Sequence, residues 1–251
     1  MQLLEKVAVI TGGGRGIGRG IVNRFLEEGA SVAIVQRSPI DEDLSANTKV
    51  KHLSADLRDA DSLQKVIDDA VGYFGRIDIL VNNAGIMFES SVSEITSEKW
   101  DLMMDVNLKA PLFLTQAALP YLRKSGGGSI VNIGSIEGIG ANPEHAAYSA
   151  SKGGIHGMTK ALAVDLGADN IRCNAIAPGW IATDLSENYL DGMQDPAAAR
   201  ASLNNLHPVG HVGAATDIGD VAVFLASDSS RFVSGEVLVV DGGRTAKLSA
   251  P

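Results

Sequence analysis

The chain has 251 residues, enough for one large domain with a sizeable core or for two small ones. Its net charge of -9 excludes a general nucleic-acid binder, which needs a basic surface to meet phosphates. A single cysteine, Cys173, excludes an intrachain disulfide; no apolar run approaches the ~18 residues of a membrane span and no signal-peptide core opens the chain, so a cytoplasmic location is expected by default.

The first predicted strand covers 6–11 and is followed by Gly12-Gly13-Gly14-Arg15-Gly16-Ile17-Gly18. A helix then runs to about residue 28, with Ile21, Val22, Phe25 and Leu26 on its apolar face, and Gly29 ends it. Further strands are predicted over 31–35, 50–53, 79–82, 129–133, 171–176 and 236–240, with helices near 61–74, 98–123, 148–167 and 216–226. Cys173 falls in a strand and reads as a small core residue. Strands rich in Val and Ile without polar alternation imply burial on both faces. Their alternation with helices implies right-handed crossovers and a parallel sheet, an α/β class. No linker, repeat or charge block marks a second domain. The segment 184–215 breaks the regularity with Asp191-Gly192, Asp195-Pro196 and His207-Pro208; it reads as a substrate lid or insertion, the alternative being a plain surface excursion.

A strand, then glycines, then a helix is an arrangement suited to a dinucleotide diphosphate. The backbone can approach the phosphates closely, and the helix start offers unpaired N–H groups. The spacing here, Gly12-x-x-x-Gly16-x-Gly18 with Gly14 inside it, departs from G-x-G-x-x-G, and glycines after a strand also serve as plain turns. At the end of the second strand a carboxylate would hold the adenosine ribose hydroxyls. This chain has Gln36 there, then Arg37, with Arg15 in the glycine loop. Two guanidiniums suit a 2′-phosphate, which favours NADP(H) over NAD(H), although Arg37 can equally be a solvated surface residue.

Taken in order, Thr11-Gly12-Gly13-Gly14-Arg15-Gly16-Ile17-Gly18, Asp56-Leu57, Asn82-Asn83-Ala84-Gly85, Asn107, Ser135, Tyr148-x-x-x-Lys152, Pro178-Gly179 and Asp241-Gly242-Gly243 make the whole chain resemble the larger branch of the short-chain dehydrogenase/reductase family. The resemblance implies a single Rossmann-type doubly wound domain over 1–251, about seven mostly parallel strands with helices on both faces, assembled as a homotetramer. It implies that Asp56 bonds the adenine amino group beside Leu57, and that Asn83, Ala84 and Gly85 line the adenosine ribose. Gly14, Ile17 and Gly18 belong to the phosphate loop. Pro178 and Gly179 approach the nicotinamide, whose carboxamide the Ile181 backbone and the Thr183 hydroxyl hold. No metal is expected.

Tyr148 and Lys152 are i and i+4 on one predicted helix, so they share a face. An adjacent ammonium is expected to lower the phenol pKa from its usual value near 10. Lys152 is also expected to bond the nicotinamide ribose, Ser135 the substrate oxygen, and Asn107 a water leading to solvent. The reaction is then hydride transfer between the cofactor and a carbonyl or secondary alcohol, with Tyr148 as the acid and base. Substrate-facing candidates are Ile136, Glu137, Asn142, Glu144, His145, Trp180, Leu185 and Tyr189. Glu137, Glu144 and His145 can hydrogen-bond a polyol or sugar, or stand as exposed loop groups; Trp180 is a pocket wall or core packing. The substrate is a small-molecule ketone or alcohol. An NAD(H)-dependent sugar or polyol dehydrogenase, a 3-oxoacyl-carrier reductase and a non-catalytic dinucleotide-binding protein stay open as alternatives. The acidic candidate loops speak against an acidic carrier partner.

Overall fold

Runs of Val, Ile and Ala become strands here because both of their faces are covered. The strands are β1 (Val7–Thr11), β2 (Ser31–Val35), β3 (Val50–Leu53), β4 (Ile79–Asn82), β5 (Gly128–Ile133), β6 (Ile171–Pro178), β7 (Ile181–Ala182), β8 (Gly213–Ala214) and β9 (Val237–Val240). The helices are α1 (Gly16–Glu27), α2 (Glu42–Ser45), α3 (Ala60–Phe74), α4 (Ser97–Met104), α5 (Ala110–Lys124), α6 (Ala146–Leu166), α7 (Asp184–Asp191), α8 (Pro196–Asn205) and α9 (Ala215–Ala226). The computed structural model describes residues 1–248 apart from the side chain of Leu185; residues 249–251 of the anticipated domain lie outside the described residues.

Seven strands form one sheet in the order β3-β2-β1-β4-β5-β6-β9, and every pairing is parallel. On one face, Ala8 and Ile10 of β1 pack with Ile21, Val22 and Phe25 of α1 and with Ile218 and Leu225 of α9. On the other, Val9 packs with Leu63 and Ile67 of α3, Ala118 and Leu122 of α5, and Leu162 of α6. This two-sided burial is why the strands lack polar alternation. The chain winds outward from β1 to β3, then returns to the other side of β1 at β4. A parallel sheet opens a crevice at such a reversal, outside the carboxyl ends of the strands.

The predicted strands are all present. The predicted 98–123 helix is interrupted: between α4 and α5, residues Asp105–Lys109 form a π-helical turn. Its cause is Asn107, whose side chain turns inward. Oδ1 accepts from the Ile86 N–H at 2.8 Å, and Nδ2 donates to the Ile86 carbonyl at 2.9 Å and to Ser151 Oγ at 3.1 Å. Single π turns recur at functional sites in helices. Helix α6 starts two residues earlier than 148, with His145 as its N-cap position. The 184–215 segment holds α7 and α8, clasped by Arg200 donating to Glu187 at 2.8 Å and Asp191 at 2.7 Å. The β7–β8 pairing pins both ends of the segment to the body. Among the described residues, no helix is long and apolar enough to cross a membrane.

Candidate active site

The glycine loop is shaped by its neighbours. Gly16 takes φ +54, a left-handed value that favours glycine. A Cβ on Gly18 would collide with the Gly12 carbonyl oxygen. Thr11 Oγ1 accepts from the N–H groups of Asn83 and Ala84, both at 3.0 Å, and Asn83 Nδ2 donates to the carbonyls of Thr11 and Gly12 at 2.9 and 3.1 Å. Asn83 therefore ties the β4 end to the loop after β1, at the reversal point of the sheet. Beside them opens a cleft of about 660 Å³ lined by Gly14, Arg15, Gly16, Arg19, Gln36, Ser38, Thr183 and Thr216, among others. An elongated cleft of that size, with a glycine loop feeding the start of α1, fits a dinucleotide.

Gln36 does not point at the cleft as a free ribose ligand. Its Oε1 accepts from the Gly14 N–H at 2.8 Å, and Nε2 donates to the carbonyls of Ser38 at 3.0 Å and Pro39 at 3.1 Å. The amide satisfies backbone groups on both sides, so Gln36 shapes the loop. Arg37 is 69% exposed, with Nη1 3.9 Å from Asp56 Oδ2. Arg58 holds that carboxylate more closely, donating from Nε at 3.0 and 3.1 Å and from Nη2 at 2.5 Å. These bonds, with the Arg58 backbone N–H, pull the Asp56 pKa down to about 2. Arg15 is exposed at the cleft. Arg19, which no motif singled out, bridges Asp41 at 3.1 Å and Asp43 across the cleft mouth. Leu57 packs partly buried against the α3 side of the core.

The predicted catalytic side chains gather where α6 passes the end of β5. Lys152 is 5% exposed and donates from Nζ to the Ile133 carbonyl at 2.8 Å. Burial lowers its pKa to about 8. Nζ lies 5.7 Å from the centre of the Tyr148 ring. Gly85 lies against Asn107 and Lys152. Ser135 lies near enough to the Tyr148 phenol to favour its ionised form, and the Tyr148 carbonyl accepts from Ser151 Oγ at 2.7 Å. Asn107, Ser135, Tyr148 and Lys152 thus meet, with Ser151 as the link that sequence reasoning missed.

One expectation needs correction and a second is narrowed. The phenol of Tyr148 is pushed up to about 12, not down: burial dominates, the nearby Ser135 hydroxyl opposes it, and the charge of Glu137 adds to it. Lys152 exerts no matching pull because its ammonium is turned to Ile133 and is itself weakened by burial. Asn107 spends both amide hydrogens on the Ile86 carbonyl and Ser151 Oγ, and Oδ1 accepts from the Ile86 N–H, so only the second lone pair of Oδ1 is left for the expected water. His156, one turn beyond Lys152, packs under the turn after β5; burial first and the Lys152 charge second push its pKa down, which keeps it neutral.

The remaining candidates divide. Ser135 Oγ also accepts from the Glu137 N–H at 3.1 Å. His145 Nδ1 and Glu137 Oε2 are 2.6 Å apart, and the His145 ring meets the Tyr148 ring edge-on at 6.1 Å. Ile136 is half-buried beside them, whereas Asn142 and Glu144 are exposed. Trp180 and Tyr189 pair with ring centres 6.1 Å apart. Gly179 abuts Asp241 and follows Pro178 at the end of β6. The Ile181 carbonyl accepts from Ser186 Oγ at 3.0 Å. The Thr183 hydroxyl accepts from the Ser186 N–H at 3.3 Å in the capping box of α7 and lines the cleft. The side chain of Leu185 lies outside the described residues. Cys173 is buried, and burial pushes its thiol up to about 12, as befits a core residue.

The family described as Enoyl-(Acyl carrier protein) reductase matches residues 12–245. The chain is 39% identical to the 3-oxoacyl-(acyl-carrier-protein) reductase FabG of Thermotoga maritima, over 97% of this chain and 99% of that protein. It is 36% identical to the NADP-dependent (R)-specific alcohol dehydrogenase of Lentilactobacillus kefiri, over 98% and 99% of the two chains. Among solved structures, the Thermoplasma acidophilum aldohexose dehydrogenase superposes with a TM-score of 0.92 at 31% identity, covering 99% of this chain and 98% of that one.

Proposed function

The chain belongs to the short-chain dehydrogenase/reductase family, and on that basis we propose that it passes a hydride between NADP(H) and a ketone or secondary alcohol, with Tyr148 moving the proton. It is an NAD(P)-dependent oxidoreductase acting on CH–OH or C=O groups. The observation that carries the finer reading is the convergence of Tyr148, Ser135 and Lys152 at the strand ends next to the glycine cleft.

The nicotinamide, when bound, supplies or accepts the hydride. In reduction Tyr148 gives its phenolic proton to the substrate oxygen; in oxidation it takes a proton back. Burial keeps the phenol protonated at rest, so the proton is in place for the first role, while its high pKa makes the transfer harder. Ser135 holds the substrate oxygen. Lys152, held at rest by the Ile133 carbonyl, bonds the nicotinamide ribose. Asn107 fixes Ile86 and Ser151 beside Lys152, and the π turn around it orders the water that leads to solvent. Gly12, Gly14, Gly16, Ile17 and Gly18 receive the diphosphate, Asp56 the adenine, and Pro178, Gly179, Ile181 and Thr183 the nicotinamide end.

NADP(H) is favoured because Arg15 lines the cleft, Arg37 follows the second strand near Asp56, and Gln36 stands where a carboxylate would repel a 2′-phosphate; the Lentilactobacillus kefiri relative is NADP-dependent as well. Segment 184–215 serves as a lid, with Tyr189 carried on α7. Exposed Leu112 and Phe113 on α5, Val164 on α6, and Phe232 and Val239 near β9 are the apolar surfaces a homotetramer would cover. A cytoplasmic location goes with this reading. The test is a panel of ketones, polyols and sugars assayed with NADPH, NADH and their oxidised forms. Turnover of a carbonyl or alcohol with NADP(H) preferred is expected; preference for NADH overturns the use made of Arg15 and Arg37.

A further inference from the structure

Three segments bring ionisable side chains together around His145, whose ring meets that of Tyr148 edge-on. Glu137 comes from the turn after β5, His145 from the N-cap position of α6, and Glu89 from the loop after β4. His145 is 7% exposed, with Nδ1 2.6 Å from Glu137 Oε2 and Nε2 3.7 Å from Glu89 Oε1. The backbone is arranged to place it there. Glu144, immediately before it, takes φ +63, a conformation unfavourable for a residue with a Cβ, while its carbonyl accepts from the Ser90 N–H at 2.9 Å. Glu137 is held from its other end by its own N–H, which donates to Ser135 Oγ.

This arrangement works against the reaction unless it also serves a ligand. Removing a carboxylate from water is costly, and this one sits within electrostatic reach of the phenol, where its charge hinders ionisation. A structural brace between the two loops already exists in the Ser90–Glu144 bond. Only Oε2 of Glu137 is used by His145. Oε1 has no hydrogen-bond partner among the described residues, and it is not among the fully buried atoms. It remains as an acceptor one turn from Ser135, which holds the reacting oxygen.

We propose that Glu137, aimed by His145, accepts a hydrogen bond from a second hydroxyl group next to the reacting carbon, so that the substrate class is vicinal diols and their α-hydroxy ketones. This rests on the Tyr148 reading above. Glu137 is the specificity-determining residue, and His145 is a positioning residue. A neutral hydroxyl donor satisfies Oε1 directly. A substrate carrying a carboxylate at that place is repelled by Glu137, and a mono-alcohol leaves the acceptor unpaired.

The probes are cis-1,2-cyclohexanediol and cyclohexanol, oxidised by the purified full chain with NADP⁺ and NAD⁺. The native protein is expected to favour the diol in kcat/KM by about tenfold or more, the scale of one bond to a charged group. In Glu137→Gln that ratio is expected to collapse, mainly through a higher KM for the diol. In His145→Phe, which keeps a ring but removes the donor, the ratio falls the same way, again through KM. Equal use of the two probes by the native protein, or turnover of neither, overturns the proposal. A parallel loss of both rates in Glu137→Gln, or an unchanged ratio in both variants, does so too. If Glu137→Gln does not fold, as judged by thermal melting, His145→Phe decides alone. Tyr148→Phe keeps the two readings apart: its loss of turnover on both probes supports the proton-transfer reading whatever the ratio shows.

Discussion

Replacing Lys152 by Met tests whether a buried ammonium is held at the site at the expense of stability. The unfolded chain keeps a proton on Lys152 up to the usual 10.5, the folded chain only up to about 8. Between those values the unfolded state binds more protons, so native stability rises with pH. At about 1.4 kcal/mol for each tenfold change in proton affinity, the whole rise is worth about 3 kcal/mol. Lys152→Met keeps the apolar stem, removes the ammonium, and leaves the Ile133 carbonyl without its donor at a cost of about 1–3 kcal/mol. Near neutral pH the two effects offset, and the variant unfolds with a free energy close to that of the native protein. Near pH 11 only the lost bond remains, and the variant is the weaker. Tyr148, with its pKa raised to about 12, loses stability as pH climbs from 10, but both proteins share that loss and it leaves the difference unaffected. His156 is neutral throughout this window. The assay is urea unfolding of both proteins at one chain concentration, from neutral pH to about pH 11. A difference that stays flat to within about 0.5 kcal/mol refutes the buried-ammonium account.

At the cofactor cleft, Arg15→Ala and Arg37→Ala should each raise the NADPH dissociation constant by about ten- to a hundredfold and change that for NADH far less, read by fluorescence titration. Equal effects on both cofactors would mean that neither guanidinium meets a 2′-phosphate. Gly18→Ala places a Cβ against the Gly12 carbonyl and Asn83, so it should destabilise the fold by more than about 2 kcal/mol in thermal or urea denaturation; a native-like midpoint would contradict the close packing of the loop.

What could be read in advance was local. Ala8, Val9 and Ile10 announce a strand buried on both faces because each neighbour in sequence packs on an opposite helix layer. Tyr148 and Lys152 are four apart on one helix, so their shared face needed no tertiary information. The glycine loop was visible for the same reason, since a strand, a tight turn and a helix start are consecutive. What escaped depends on distant partners. The π turn at Asp105–Lys109 exists because Asn107 reaches Ile86, which nothing in the 98–123 periodicity reveals. At the end of the second strand only the lack of a carboxylate was legible; that the Gln36 amide is claimed by Gly14 on one side and by Ser38 and Pro39 on the other depends on the folded loop. The Glu137–His145 pair joins two ends of an irregular loop. The direction of the Tyr148 shift is set by how deeply the ring is enclosed, a property of the packed structure that outweighs the ammonium beside it.

In the proposed reaction Tyr148 delivers the proton while NADP(H) exchanges the hydride. Tyr148→Phe removes one hydroxyl from a ring that the surrounding helix still holds, so folding and NADPH affinity should stay close to native. With the best ketone of the panel, NADPH consumption by this variant should fall about a thousandfold, a loss on the scale of a positioned acid. Consumption near the native rate, in a variant that melts and binds NADPH like the native protein, would show that another group supplies the proton.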